Sequence, residues 1–586
     1  MEQAKKRSVT ATLLSWVKAI LFLCGLALVS ASFVESGNSK NDPGGLLLAS
    51  KMNESGKKKE RPRGKPTPIQ LSYHDDEIMM MLCIDPQTWQ GVDYDNHTTP
   101  LDRINPSELN TDQWCETARS FGAKRVIHVA KHTGNFLWWN SDLSDYGIKH
   151  TPFKDGTGDV VDAFAESCHK YGLKYGLYVY AHKTNAETYR KELIEVLSKD
   201  VFKKYGPVSE MWFDGGMQWG IMDILDKYAP DAIYFGGPAG HMSARWAGSE
   251  SGYSPEPAWQ TVVDKGIISG PFYTGSHSDP DGDLWLPMEM DTPLLDHWWY
   301  WGPDRDSLIK SIDHLMVIYY RSVGRGGVLL LNATPDTTGL IPESHIKRYK
   351  EFGDAIKRLY AGIKGETSGK GKTLVLNFDK PQAVNHIITM EDIRYGHIVR
   401  NYEIDGMIDG KWEKLVEGDA IGHKKIDLVE TVTVKKLRFR ATDVVARPQI
   451  KSFAAYEAPI YRHHYEGVDS DWKVVVDWQK VLGQETSVQD IDLTSYVTMP
   501  GQYEVMFKQH PWIGTPEFKK VITVMAGKEE PDKIEPLPEE QWIRKWRISR
   551  TAAVDDSELG KTVLRIEGKF PSQFDNLVLI MIKRVF

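Results

Sequence analysis

The chain has 586 residues, too long for one ordinary domain, and its length predicts two or three. With 41% hydrophobic and 26% charged residues it carries enough apolar material for large cores, which excludes global disorder. A formal net charge of −8 argues against a nucleic-acid partner, because neutralising phosphates takes clustered Lys and Arg.

The first element in chain order reads as an export signal. Lys5, Lys6 and Arg7 form a basic region, an apolar run from Ala19 to Val29 follows Lys18, and Val29-Ser30-Ala31 supplies a small-residue cleavage site. The run falls short of the roughly 18–20 apolar residues that span a bilayer. Residues 1–31 are therefore expected as a cleaved signal peptide, with no stable membrane insertion afterwards and a secreted, periplasmic or lysosome-like destination. Residues 32–69 are rich in Gly, Lys, Ser and Pro and read as a flexible linker. Loss of Cys24 with the signal leaves Cys83, Cys115 and Cys168, an odd number, so disulfides are not what holds the protein together. Nothing has metal-ligand spacing, and no cofactor is expected.

From residue 70 to 362, short apolar strands alternate with helical segments. The expected strands are Met79–Ile84, Arg125–Lys131, Lys174–Tyr180, Val208–Phe213, Ala232–Phe235, Leu284–Glu289 and Gly327–Asn332. The expected helices are Pro106–Phe121, Asp159–Tyr171, Ala186–Lys204, Arg305–Ser322 and Glu343–Leu359. This alternation predicts an α/β fold built on a parallel (β/α)8-like barrel, and the lack of GxGxxG after the first strand counts against an open nucleotide-binding sheet. Residues 366–458 change to short strands with an Asp409-Gly410 hairpin turn and read as a β-sandwich. Residues 461–586 read as a further β-rich domain.

In a parallel barrel, reactive groups sit at the carboxyl ends of strands. Glu210-Met211-Trp212-Phe213-Asp214-Gly215-Gly216 delivers an acid at such an end, although Asp before Gly also caps turns. His132 ends a strand and is followed by Trp138 and Trp139, either of which can wall a sugar site; the same histidine can equally be structural. Glu250 and Glu256 lie in a loop that can reach the barrel mouth or stay solvated. Glu289 and Asp291 precede Trp298-Trp299-Tyr300-Trp301, an aromatic run suited to a sugar subsite or to packing under a loop.

Six ordered stretches carry a resemblance. MWFDGG at 211–216 resembles the nucleophile strand of family-29 glycoside hydrolases, the α-L-fucosidases. INPSELNTDQW at 104–114, KHTGNFLW at 131–138, TPFKDGTGDVV at 151–161, KYGLKYGLYVY at 170–180 and YYRSVGRGGVLLLNATPDTTGLI at 319–341 are similar to that family's motifs in the same order. The resemblance, over about residues 70–456, implies a retaining exo-glycosidase acting on a glycan or oligosaccharide. Asp214 is the implied nucleophile. RWAGSESGY at 245–253 maps the acid/base onto Glu250, with Glu256 in reserve. His132, Trp138, Trp139, Tyr178, Trp212, Glu256 and Trp298 form the expected substrate-binding set.

Departures from the family pattern concentrate in the recognition shell. Cys83 stands where the first strand normally offers a histidine, the Glu-Trp pair that follows is not recognisable, and Thr133 replaces a second histidine. Tyr180-Ala181-His182-Lys183 replaces a Ser-Pro-Trp-Asp-like run. The expectation is therefore retained chemistry with an altered glycone pocket, fucose being the default sugar. The alternatives are a hydrolase of a related sugar or a non-catalytic carbohydrate-binding protein on a hydrolase scaffold.

Overall fold

The computed structural model describes residues 63–462 apart from 182–183, 239–241, 265–276 and 297, and beyond 462 mainly the strands of a C-terminal domain. The expected signal peptide and most of the expected linker lie outside the described residues. The linker's last residues, 63–69, are packed rather than flexible. Gly64 N donates to Gly282 O at 2.9 Å, and Thr67 caps the helix Pro68–Asp76 in a reciprocal arrangement with Gln70.

Eight parallel strands close a barrel in sequence order: β1 Ile78–Leu82, β2 Arg125–Lys131, β3 Lys174–Val179, β4 Glu210–Trp212, β5 Ile233–Phe235, β6 Ser243–Trp246, β7 Met288–Pro293 and β8 Val328–Ala333. Alternate residues along each strand belong to two different cores, as the two-residue pleat requires. Met79, Met81, Ile127, Val129, Tyr178, Trp212, Phe235 and Leu330 fill the barrel interior. Met80, Leu82, Val126, Ala130, Leu177, Met211 and Leu331 pack outward with the helices. The same parity carries the chain from Met81 to Cys83, from Trp212 to Asp214 and from Glu289 to Asp291, so all three reach the mouth on the inner side.

Helix starts follow their caps. Asn110, Asp159, Asn185 and Ser311 each accept a backbone N–H at the head of the helices Thr111–Ser120, Val160–Tyr171, Ala186–Leu197 and Ile312–Arg321. The first and last therefore begin later than hydrophobic spacing predicts. The segment expected as one helix over Ala186–Lys204 breaks into Ala186–Leu197 and Asp200–Tyr205.

Two strand expectations need correction. β6 is absent from the expected strands, because Ser-Ala-Arg-Trp has neither a long apolar run nor clean alternation. The stretch expected as the strand Leu284–Glu289 divides: Leu284–Trp285 pairs antiparallel with Thr261–Val262, and the barrel strand starts at Met288. No helix is described between β6 and β7, and this gap carries Glu250.

The next domain is antiparallel: β9 Ile363–Lys370, β10 Thr373–Glu391, β11 Val399–Ile408, β12 Lys411–Asp419, β13 Lys425–Val444 and β14 Gln449–Tyr456. Hydrogen bonding links all six strands in the order β9-β14-β10-β13-β11-β12, and they enclose a core that includes Val384, Tyr402, Val434, Phe439 and Phe453. β10 and β13 are single long strands with register shifts between Asn377 and Gln382 and between Val384 and His386. Ile388, Ile426, Ala454 and Tyr456 of this domain share the core of the barrel's helical layer.

Beyond residue 462, a five-stranded and a four-stranded antiparallel sheet contribute to a common core. Ile491, Leu564 and Ile566 come from one sheet and Tyr503, Val505, Trp546 and Ile582 from the other. Two sheets over one core make a sandwich. Among the described residues, no helix is long and apolar enough to cross a membrane.

Candidate active site

A cavity of about 390 Å³ opens at the carboxyl ends of the barrel strands. Of the residues expected from sequence it collects Asp214, Glu250, His132, Tyr178 and Trp212. It also receives Cys83, Asp93, Tyr94, Trp246, Asp291, Trp299 and Tyr300.

Asp214 follows β4 and is exposed. Gly215 and Gly216, both with positive φ (69° and 86°), turn the backbone away beneath it, a path that a side-chain-bearing residue follows only under strain. Tyr178 Oη donates to Asp214 Oδ2 at 2.9 Å. Behind this pair runs an aromatic floor: Tyr178 stacks on Trp212 at 5.1 Å between centroids, and Trp212 stacks on Phe235 at 4.0 Å. The Trp212 indole is held in turn, donating to Glu289 Oε1 at 2.8 Å, while the other Glu289 oxygen accepts from Tyr73.

Glu250 is half-buried and accepts a hydrogen bond from Trp299 Nε1 at 2.9 Å. Burial first, and the charge of Asp291 second, push its carboxyl up to about 8, with Asp214 and Asp93 adding to the shift and the Trp299 bond opposing it. Asp291, buried at the end of β7, accepts from Trp246 Nε1 at 2.7 Å. Burial raises it to about 7, with Asp214 adding to the shift. Asp93 is raised by burial to about 6. The cavity thus holds three carboxyls that burial pushes upward, Glu250, Asp291 and Asp93, together with the exposed Asp214, a contrast of environments of the kind that separates an acid from a nucleophile on one floor.

His132 is fixed by Gln87, whose amide Nε2 lies 2.7 Å from Nδ1, with the Thr133 hydroxyl at 3.2 Å from the same atom. An amide nitrogen only donates, so Nδ1 accepts and the ring proton is assigned to Nε2. The Cys83 thiol is pushed up by burial first and by neighbouring carboxylates after it, so it sits in the wall as a neutral thiol.

Four expected residues do not line the cavity. Trp138 and Trp139 are fully buried; their indole nitrogens donate to Asp85 Oδ1 at 2.9 Å and Glu195 Oε2 at 2.7 Å. They anchor the loop after β2 instead of walling a sugar. Glu256 turns to the following domain, pairing with Arg325 at 2.9 Å and Lys425 at 2.7 Å, and these cations hold it below the usual carboxylate range against the cost of burial. That removes it as a reserve acid. Trp298 carries the Arg305 guanidinium 3.5 Å from its ring centroid, and its neighbour Trp299 is the one that lines the cavity. His182 lies outside the described residues.

Sequence reasoning missed Asp93 and Tyr94. They place an acidic–aromatic pair in the cavity from the loop after β1, the place where the resemblance leads one to look for Glu-Trp. A search for the pair by chemical type instead of identity finds them. Asp291 and Trp299 lay in a segment already marked, but nothing in it separates cavity members from packed ones. Among the described residues, no cluster of His, Cys, Asp and Glu could hold a metal ion.

Comparison with known proteins points to one family. The family model described as Alpha-L-fucosidase matches residues 85–359. The chain is 27% identical to Alpha-L-fucosidase 1 of Arabidopsis thaliana over 430 residues, covering 63% of this chain and 83% of the relative. A crystal structure of a Bacteroides thetaiotaomicron VPI-5482 protein assigned as an alpha-L-fucosidase is 32% identical, covers 68% of this chain and 100% of that one, and superposes with a TM-score of 0.62. A Ruminococcus gnavus GH29 fucosidase solved with fucose shares the fold at 21% identity, with a TM-score of 0.61 over 70% of this chain and 98% of that one.

Proposed function

Because this chain belongs to the α-L-fucosidase family of glycosidases, we propose that it releases terminal α-L-fucose from glycans by a retaining mechanism, with Asp214 as nucleophile and Glu250 as acid and base. In the first step an Asp214 carboxylate oxygen bonds to the anomeric carbon as the glycosidic C–O bond breaks, and Glu250 gives its proton to the departing oxygen. In the second, water loses a proton to the Glu250 carboxylate, its oxygen bonds to the anomeric carbon, and the ester to Asp214 breaks. Both residues return to their starting states.

The observation that carries this reading is one cavity holding an exposed strand-end aspartate beside a carboxyl that keeps its proton up to about 8. Tyr178 orients the nucleophile and Trp299 the acid. His132 Nε2–H, Trp246 and the Asp93-Tyr94 pair supply sugar contacts in place of the missing histidines. A site built to pair hydroxyls discriminates by roughly 1–3 kcal/mol for each group left unpaired. The exchange of histidines for Cys83 and Thr133 therefore bears on which glycone is preferred, and it keeps a sugar-binding, non-hydrolysing protein as the second reading. Turnover of an aryl α-L-fucoside by the wild type and its abolition in Asp214→Ala supports hydrolysis; binding without turnover across a glycoside panel supports the second reading.

The basic, apolar and small-residue succession at residues 1–31 supports export as part of the same proposal, matching an enzyme that meets glycans outside the cytosol. N-terminal sequencing of recovered protein tests it: a mature start just after Ala31 is expected, and an intact Met1 contradicts it.

A further inference from the structure

The loop that bears Glu250 is fastened to β7 at both ends. Ala247 N donates to Glu289 O at 2.9 Å, and Gly252 N donates to Asp291 O at 3.1 Å. A φ of 76° at Gly252 lets the loop close against the strand, where an added Cβ would meet Ile318 and Thr292. The Asp291 side chain then turns into the same cavity as Glu250, steadied by Trp246 Nε1 at 2.7 Å. Facing Glu250 are Asp291 from β7, Asp214 after β4, Asp93, Tyr94 and Cys83 from β1 and its following loop, and the Trp299 indole. The Arg245 guanidinium also borders the cavity, but it donates to Leu286 O, Trp259 O and Ser278 Oγ.

We propose that Asp291 is a positioning residue for the acid step, holding the Glu250 loop on β7 and placing a negative charge that keeps the Glu250 proton in place until the leaving oxygen takes it. The proposal rests on the assignment of Glu250 given above. The electrostatics of the shared cavity fit it: burial raises both carboxyls, and after burial the charge of Asp291 does most to raise Glu250. The two titrate as a pair, and the macroscopic steps belong to both. Once Asp214 has become a neutral ester, one of the negative charges raising Glu250 is gone. Its carboxylate then takes water's proton while Asp291 still favours the protonated form.

The test is Asp291→Asn, which keeps an oxygen for Trp246 and the backbone bond to Gly252 while removing the charge. With an aryl fucoside whose leaving group needs protonation, the alkaline limb of kcat/KM moves toward acid by about one pH unit. With a dinitrophenyl fucoside, which leaves unaided, no limb belongs to Glu250 and the alkaline side of the profile is the same in wild type and Asp291→Asn. A limb that stays put with the poor leaving group, or moves equally with both, overturns the proposal. Carboxyl difference infrared, wild type minus Glu250→Gln, reads the same titration without turnover. An acidward shift in Asp291→Asn supports Asp291's effect on Glu250 even if no fucoside is cleaved, in which case the fucosidase reading fails instead. No infrared shift overturns the proposal outright.

Discussion

At the residue scale, the chemistry depends on which carboxyl holds a proton. If Glu250 is the acid, as proposed, it serves only while protonated, up to about 8, so the first step is expected to slow as pH rises through that value. A kcat/KM profile with an alkaline limb near 8, lost in Glu250→Gln, is the expected result. That variant slows poor leaving groups by roughly 10²–10³-fold and activated ones far less. Tyr178→Phe removes the 2.9 Å hydrogen bond that orients Asp214 and is expected to lower kcat/KM roughly tenfold, the value of one such bond; steady-state kinetics with the fold verified by circular dichroism checks it. Residues at strand ends, such as Asp214 and Tyr178, were legible in the sequence because strand parity and the family motifs agree there. Trp138 and Trp139 were not, because an indole serves a core as well as a sugar, and only its N–H partner reveals which. Glu256 misled for a related reason: its cationic partners, Arg325 and Lys425, are distant in sequence.

At the element scale, the barrel's lower end is tied by a buried guanidinium. Arg125 on β2 pairs with Asp76 of the N-terminal helix at 2.8 Å and with Glu210 on β4 at 2.9 Å, all nearly inaccessible. Replacing it with Met takes the cation from buried Glu210 and leaves Asp76 with Lys174 alone, at 2.7 Å, and is expected to cost about 3–5 kcal/mol of stability. Denaturant titration of Arg125→Met measures this; a loss below 1 kcal/mol would contradict the account of the barrel floor. Six of the eight barrel strands were foreseeable from short apolar runs, and a seventh, β7, only in its first two residues, Met288 and Glu289. The eighth, β6, was hidden because its burial comes from closing the ring and not from its own composition. Its neighbour Leu284–Glu289 was misplaced for the same reason, since apolar character alone does not say which sheet a strand joins.

At the scale of the whole molecule, the antiparallel domain has a core of its own but adds Ile388, Ile426, Ala454 and Tyr456 to the barrel's helical-layer core, whereas the described residues beyond 462 lie largely in a separate one. A chain ending near residue 462 is therefore expected to keep fucosidase turnover, and one ending near 362 to aggregate, having exposed the apolar face now covered by Ile388, Ile426 and Tyr456. Solubility and kcat of the two truncations decide this. The order of domains was legible because the period of apolar residues changes near residue 363. That β10 and β13 run on as single long strands was not, because strand continuity across a bulge leaves no mark in the hydrophobic pattern.

The central claim is a covalent bond between Asp214 and a sugar's anomeric carbon. Incubation with 2-deoxy-2-fluoro-fucosyl fluoride followed by peptide mass mapping tests it directly. A single label on the peptide carrying Trp212-Phe213-Asp214-Gly215, absent in Asp214→Ala, is the predicted result. A label on another residue, or none under conditions where fucoside turns over, would contradict it.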